Sequence, residues 1–316
     1  MAQHALPAAC ASRRRNGYLL AAAGAILFSA KAVLVKLAYG QGSVPEADAI
    51  TLLALRMAFS LPFYVIIGIT GWRARAAQGR PLPSRRQVAK AVLVGFVGYY
   101  LSSYLDFAGL QYISAQLERL ILMTYPVFVT LLGAAFFGGR LTVWGLAALF
   151  VSYSGIVFIF VAGATAKGDS ALLGAALVFC ASFSFALYQL TARPLVAVIG
   201  TRLFTSIAML AACAGVMLHF LAGNSLLQLA SAPPRVLWLA AIMAIASTVL
   251  PSFMLSAALA RVGPQAVSMI GTISPVATIA MAMAFLDEPF TPADAAGTAL
   301  VIAGVGLFTY HDARRR

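Results

Sequence analysis

Long apolar runs separated by short polar breaks fill almost the whole chain. Ten runs are long enough to cross a bilayer as helices, at about 18–39, 48–70, 88–110, 113–137, 142–163, 170–192, 200–222, 236–259, 265–286 and 292–310. Crossing ~30 Å of hydrocarbon takes roughly 20 apolar residues in a helix. The runs are continuous rather than alternating, and an open strand edge would find no backbone partner in lipid. The pattern therefore predicts helices.

The runs fall into two copies of five. Pro126 in QLERLILMTYPVFVTLLGAAFF and Pro275 in QAVSMIGTISPVATIAMAMAF lie 149 residues apart, and at the same offset Gln116 meets Gln265, Thr142 meets Thr291 and Gly155 meets Gly304. Each copy opens on a related helix, FSAKAVLVKLAY from residue 28 and FSFALYQLTARPL from residue 183. The expected division is a tail at 1–17, a first repeat at 18–163, a second at 164–310 and a tail at 311–316. An odd number of helices per copy makes the second copy enter the membrane in the opposite sense. Two inverted halves then meet at an axis in the membrane plane, an arrangement that recurs in alternating-access transporters. The predicted fold class is an all-α membrane protein of ten transmembrane helices in two inverted five-helix repeats.

Composition supports a membrane chain: 62% of residues are hydrophobic, 10% are charged and the mean hydropathy is +0.92. A soluble domain carries about 25% charged residues. When the loops are assigned alternately to two sides, one side holds sixteen of the 22 Lys and Arg and the other only Lys167 and Arg235. The positive-inside rule puts the richer side, and both termini, in the cytoplasm of a cell with an inner membrane. The formal charge of +13 is thus a topology signal and does not point to nucleic acid. Arg13–Arg15 followed by YLLAAAGAILFSA looks like a secretory signal, but the apolar run continues through Lys36 and reads as an uncleaved first span. Cys10, Cys180 and Cys213 suggest neither a disulfide framework nor a metal motif. HExxH and GxSxG are absent, and the histidines are His4, His219 and His311. No cofactor is expected. A polytopic enzyme or a non-transporting sensor remains the alternative class.

The segments QYISAQLERLILMTYPVFVTLLGAAFFGGRLT and RVGPQAVSMIGTISPVATIAMAMAFLDEPFT resemble the EamA repeat of the drug/metabolite transporter superfamily. LLALRMAF around Arg56 and ALYQLTARPL around Tyr188 are similar to early helices of such repeats. The resemblance covers about 17–310. It implies ten helices, inverted halves, a central cavity, and transport of amino acids, nucleobases, nucleotide-conjugated sugars or other small metabolites, with export favoured. Family members often carry Glu just before the fifth helix of a repeat. Glu288 supplies it in the second copy, whereas Gly139 stands there in the first.

Chemistry is expected where polarity costs most. An ionisable side chain in a span costs roughly 2.5–3.5 kcal/mol on insertion scales, so it faces a bundle interior or a wet cavity. The six here are Lys31, Lys36, Arg56, Asp106, Glu118 and Arg119, all in the first four helices. Lys36 and Arg119 have a second reading, snorkelling to the outer headgroups. Asp106 has another, neutralising Lys36 or Arg56. Lys31 is too deep to snorkel with ease. Glu118 points about 100° away from Arg119, so the two cannot share one partner. Glu118 and Asp106 are the proton-coupling candidates. Desolvation favours a neutral carboxyl and a neighbouring cation favours a charged one, and on Glu118 the two act against each other. The expected substrate site is Lys31, Glu118 and Gln189 at one central cavity, with Arg56, Tyr104 and Tyr188 nearby. The charge excess of these helices suits a substrate bearing an anionic group. His219 reads as interfacial, and Pro126 and Pro275 as kinks that free carbonyls at mid-depth. The partners expected are a small-molecule substrate and the lipid bilayer, with the chain a monomer or homodimer.

Overall fold

The computed structural model describes residues 5–40, 47–136, 143–167, 169–271 and 273–314. Among these residues every regular element is helical. The first half holds α1 (Ala5–Tyr39), α2 (Ala49–Ala77), α3 (Arg85–Gly95), a π-helical segment Phe96–Leu101 and α4 (Ser102–Leu110). It continues through α5 (Ala115–Leu122), α6 (Tyr125–Phe136) and α7 (Val143–Lys167). The second half holds α8 (Asp169–Ile199), α9 (Thr201–Gly223), a short α10 (Leu226–Ala230) and α11 (Pro234–Ala244). After a second π-helical segment, Ile245–Val249, come α12 (Leu250–Gly271), α13 (Ile273–Leu286) and α14 (Pro292–Arg314). Seven of the described helices or helix runs are long and apolar enough to cross a membrane.

The repeat is visible in the backbone as well as in the residues. The π-helical segments begin at Phe96 and Ile245, the same 149 residues apart as the paired prolines. The halves also interlock. Helix α1 packs on α11, α12 and α13, while α8, its counterpart, packs on α3, α4, α5 and α6. Helix α2 lies on α9, and α7 on α14. Exchanging the two halves leaves this pairing unchanged.

Two boundaries differ from the hydropathy reading. The break expected at 260–264 is absent, because α12 runs through Arg261 without interruption. Arg261 is exposed on that helix. A charge lowers hydropathy without costing the backbone a hydrogen bond, so it did not mark a helix end. Conversely, the expected span at 113–137 is divided at Met123–Thr124. Pro126 has no N–H for the carbonyl of Leu122, and residues before proline disfavour the helical region. The freed carbonyl accepts a hydrogen bond from Ser182 Oγ of α8 at 3.4 Å. Thr124 closes the turn by donating to the carbonyl of Ile121 at 2.6 Å, and its Oγ1 lies 3.2 Å from Ser182 Oγ. Carbonyl release at Pro126 is therefore seen directly, and the second half supplies the donor.

Close helix crossings rely on glycine. Lipid is as apolar as leucine, so helices in a bilayer associate through contact and hydrogen bonding, and small residues let backbones approach. A Cβ on Gly155 of α7 would lie 2.6 Å from the carbonyl oxygen of Gly297 on α14, and one on Gly297 would lie 2.7 Å from that of Gly155. Gly155→Ala should therefore force α7 and α14 apart at a cost of about 1–3 kcal/mol. Gly223→Ala is the control, because nothing lies within 4 Å of a Cβ placed there. Thermal unfolding in detergent should show a lowered midpoint for the first variant and none for the second.

Candidate functional site

Four ionisable side chains meet where α1 and α4 face α5 and α13. Lys31 Nζ on α1 donates to Asp106 Oδ2 on α4 and lies 3.2 Å from Glu118 Oε1 on α5. The second contact is an ion pair outside hydrogen-bond geometry, and neither oxygen of Glu118 has a hydrogen-bond partner among the described residues. Arg119, next along α5, points elsewhere: its Nη2 donates to Ser274 Oγ on α13. Ser274 also bonds Ser29 Oγ of α1, and Thr278 Oγ1 donates to the carbonyl of Ser29 at 3.1 Å. Phe28 lies beneath both cations, with Lys31 Nζ 5.9 Å and Arg119 Cζ 5.4 Å from the ring centre. Cations over a ring face are stabilised by its quadrupole.

The group is sealed: relative exposure is 7% for Lys31, 3% for Asp106, 0% for Glu118 and 3% for Arg119. Two formal cations and two formal anions leave it neutral, as desolvated charge requires. Several expectations change here. Asp106 pairs with Lys31 rather than with Lys36 or Arg56. Lys36 lies five residues beyond Lys31, about 7.5 Å along the helix and about 140° round it, so it cannot share that face. Arg119 does not snorkel, being held inward by Ser274 and Phe28. The divergence of Glu118 and Arg119 is as their one-residue spacing requires.

The remaining candidates lie outside this cluster. Arg56 is buried on α2, where Nη2 donates to Ser103 Oγ at 3.2 Å and the guanidinium stands 4.8 Å from the centre of the Phe107 ring. Tyr104 packs edge-on to His219, with centroids 4.6 Å apart. His219 Nδ1 lies 3.0 Å from the Tyr100 hydroxyl, so this histidine joins an aromatic cluster. Tyr188 donates to the Tyr99 hydroxyl at 2.9 Å. Gln189 is half-buried on α8 and takes no part in the hydrogen bonds joining Lys31, Asp106 and Arg119. The structure thus unites Lys31 with Glu118 and leaves Gln189 elsewhere. A groove of about 340 Å³ between α2 and α9, lined by Val65, Ile69, Trp72, Arg73 and Leu210, includes none of the four clustered charges. Ser29, Ser274, Thr278 and Phe28 had not stood out, because small hydroxyl and aromatic residues are too common in helices to mark a site by type.

Residues 15–161 and 172–310 each match the EamA-like transporter family. The chain belongs to that family. The EamA family is part of the drug/metabolite transporter superfamily, which places the chain in a family of transporters. The chain is 29% identical over 269 residues to "Uncharacterized transporter YcbK" of Bacillus subtilis (strain 168), covering 84% of this chain and 83% of that relative. It also shares its fold with a protein of known crystal structure at a TM-score of 0.62, over 95% of this chain and 98% of the other. Identity in that pair is 16%, so the likeness concerns the fold alone.

In this EamA-family protein the cluster's charges depend on one another. Removing one partner of a buried ion pair typically costs about 3–5 kcal/mol, because the other charge is left uncompensated. Lys31→Met should lower the thermal midpoint strongly. Combining Lys31→Met with Asp106→Asn leaves Glu118 and Arg119 as a neutral pair and should recover most of the loss. Equal loss in the single and double variants would show that the charges are uncoupled.

Proposed function

We propose that this EamA-family protein is a secondary transporter for a small polar or amphipathic metabolite, moved across the inner membrane by alternating access. Ten helices in two inverted five-helix halves, with both termini cytoplasmic, form the framework of this reading. Export is the favoured direction. The observation that carries it is the sealed, neutral group of Lys31, Asp106, Glu118 and Arg119 at the junction of the halves. Charge so deep in a membrane chain is costly unless used, and a neutral group accepts a neutral guest with least penalty. A zwitterion fits that requirement. Its carboxylate replaces Ser274 at Arg119, and its ammonium replaces Lys31 at Glu118 while Lys31 stays with Asp106. Each charge then keeps a partner of opposite sign. A purely anionic substrate matches less well, because two carboxylates already hold Lys31.

Arg56, Tyr104, Tyr188 and Gln189 belong to the path beside this group. Each presents a polar tip on an element adjoining the junction, and Tyr188 and Gln189 come from the second half. Glu118 is the proton carrier of this mechanism and Asp106 its partner. A proton arriving at Glu118 weakens its hold on Lys31, which frees the cation as the cavity changes sides.

Two experiments test the reading. Reporter fusions after Arg86 and after Lys167 should report opposite sides of the membrane, cytoplasmic and external respectively; same-side signals would remove the inverted framework. In vesicles, a panel of zwitterionic and anionic metabolites is then compared with and without a pH gradient. Glu118→Gln keeps the size of the side chain but cannot titrate. It should lose accumulation driven by the pH gradient while retaining substrate exchange, and unchanged pH-driven accumulation would exclude Glu118 as the carrier.

A further inference from the structure

Helix α5, which carries Glu118 and Arg119, begins on a carboxylate from the other half of the chain. The first amides of a helix have no partner within it and must find acceptors elsewhere. Ser114 Oγ accepts from the amide of Leu117 at 3.2 Å. Glu288, in the segment between α13 and α14, supplies the rest. Its Oε1 accepts from the amide of Ala115 at 2.9 Å and its Oε2 from that of Gln116 at 3.4 Å. Gln116 Nε2 returns a bond to the carbonyl of Pro289 at 3.4 Å. The preceding residue, Asp287, has φ 52°, a left-handed conformation that non-glycine residues rarely adopt. An anion at a helix N-terminus also interacts favourably with the helix dipole.

The repeat offers an internal comparison. At the offset of 149, Glu288 corresponds to Gly139 and Ala115 to Pro264. The first half therefore has no carboxylate at that position, and the second has no amide hydrogen at the matching site. The backbone agrees, because α12 runs unbroken from Leu250 to Gly271 and presents no helix start near 264. The acid is present only where a helix begins. In an inverted repeat the two matched places lie on opposite membrane faces, and Gly139 and Pro264 cannot form this carboxylate–amide pair on the second face.

We propose that Glu288 is a positioning residue that ties α5 to the second half and holds the charge cluster closed from the face bearing Ser114. Glu118 and Arg119 lie only three and four residues beyond the first capped amide, so displacement of the α5 start moves both side chains. Opening on that face requires the carboxylate to release the two amides. On the opposite face Gly139 and Pro264 offer neither the carboxylate nor the amide hydrogen of this tie, and the two gates are consequently unequal. This rests on the alternating-access reading above, but its test needs no substrate.

The test uses the full chain in vesicles, with the three cysteines replaced and Ser29→Cys as the reporter of access to the cluster. An impermeant maleimide is applied from either face. Glu288→Ala should raise the labelling rate several-fold from the face bearing Ser114 and leave it unchanged from the other. Glu288→Gln, which keeps one acceptor oxygen, should show a smaller rise. Hydrogen exchange of the Ala115 and Gln116 amides should increase about tenfold in Glu288→Ala. Ser84→Ala, which breaks the capping box of α3, should alter neither reading. A rise of equal size from both faces would mean general loosening and would overturn the proposal, as would unchanged exchange at α5. If Glu288→Ala does not fold, Glu288→Gln carries the same comparison. Failure of the metabolite panel with face-selective labelling intact would count against the transport reading and not against the tie.

Discussion

Hydrocarbon contains no water to satisfy a polar group, and in this chain each half supplies what the other leaves unpaired. Ser182 in the second half bonds the carbonyl that Pro126 frees in the first. Ser184 bonds the carbonyl of Val97 within the first π-helical segment at 2.8 Å. Ser274 receives Arg119, and Glu288 receives the first amides of α5. An unsatisfied group in lipid costs several kcal/mol, so these bonds do more to hold the halves together than apolar contact, which lipid can provide equally well. Irregular backbone survives where a partner from the other half covers it.

The same rule explains the position of the charges. Lys31 could not be buried alone, and neither could Asp106 or Glu118. Brought together with Arg119 from α1, α4 and α5, they form a neutral group whose members are costly to separate. Its ion pairs tie α1 to α4 and α5. The π-helical segments at matched places add a second feature, since such bulges interrupt the helical ladder and commonly occur at functional sites.

Symmetry in this EamA-family protein is close in the backbone and incomplete in the chemistry. The halves agree in the offset of their prolines, in the onset of their π-helical segments and in their packing partners. They disagree at the charged positions. The matched partners of Glu118 and Arg119 are Val267 and Ser268, and that of Glu288 is Gly139. One half holds most of the charge while the other holds hydroxyls and the capping acid. The shared backbone thus carries unequal side chains in its two halves.

The sequence by itself determined the class of molecule. Apolar runs, loop charge and a repeat at fixed offset are properties of neighbouring residues, and a bilayer reads them locally, so helices, membrane and family were legible without coordinates. Lys31 and Glu118 were legible as well, because a charge in an apolar run is conspicuous whatever surrounds it. Partnership was not legible. Whether Asp106 meets Lys31, Lys36 or Arg56 depends on the rotation and crossing of α1, α2 and α4, which local pattern does not encode. The hydroxyls at Ser29 and Ser274 became significant only through the residues opposite them. Helix ends were hidden for a related reason: Arg261 looks like a boundary to hydropathy and is none to the backbone, whereas Pro126 removes a hydrogen bond whose replacement comes from a distant helix. Tertiary structure decided which unpaired groups meet, because each must find its partner on a helix distant in sequence, within its own half as for Lys31 and Asp106 or across the interface as for Arg119 and Ser274.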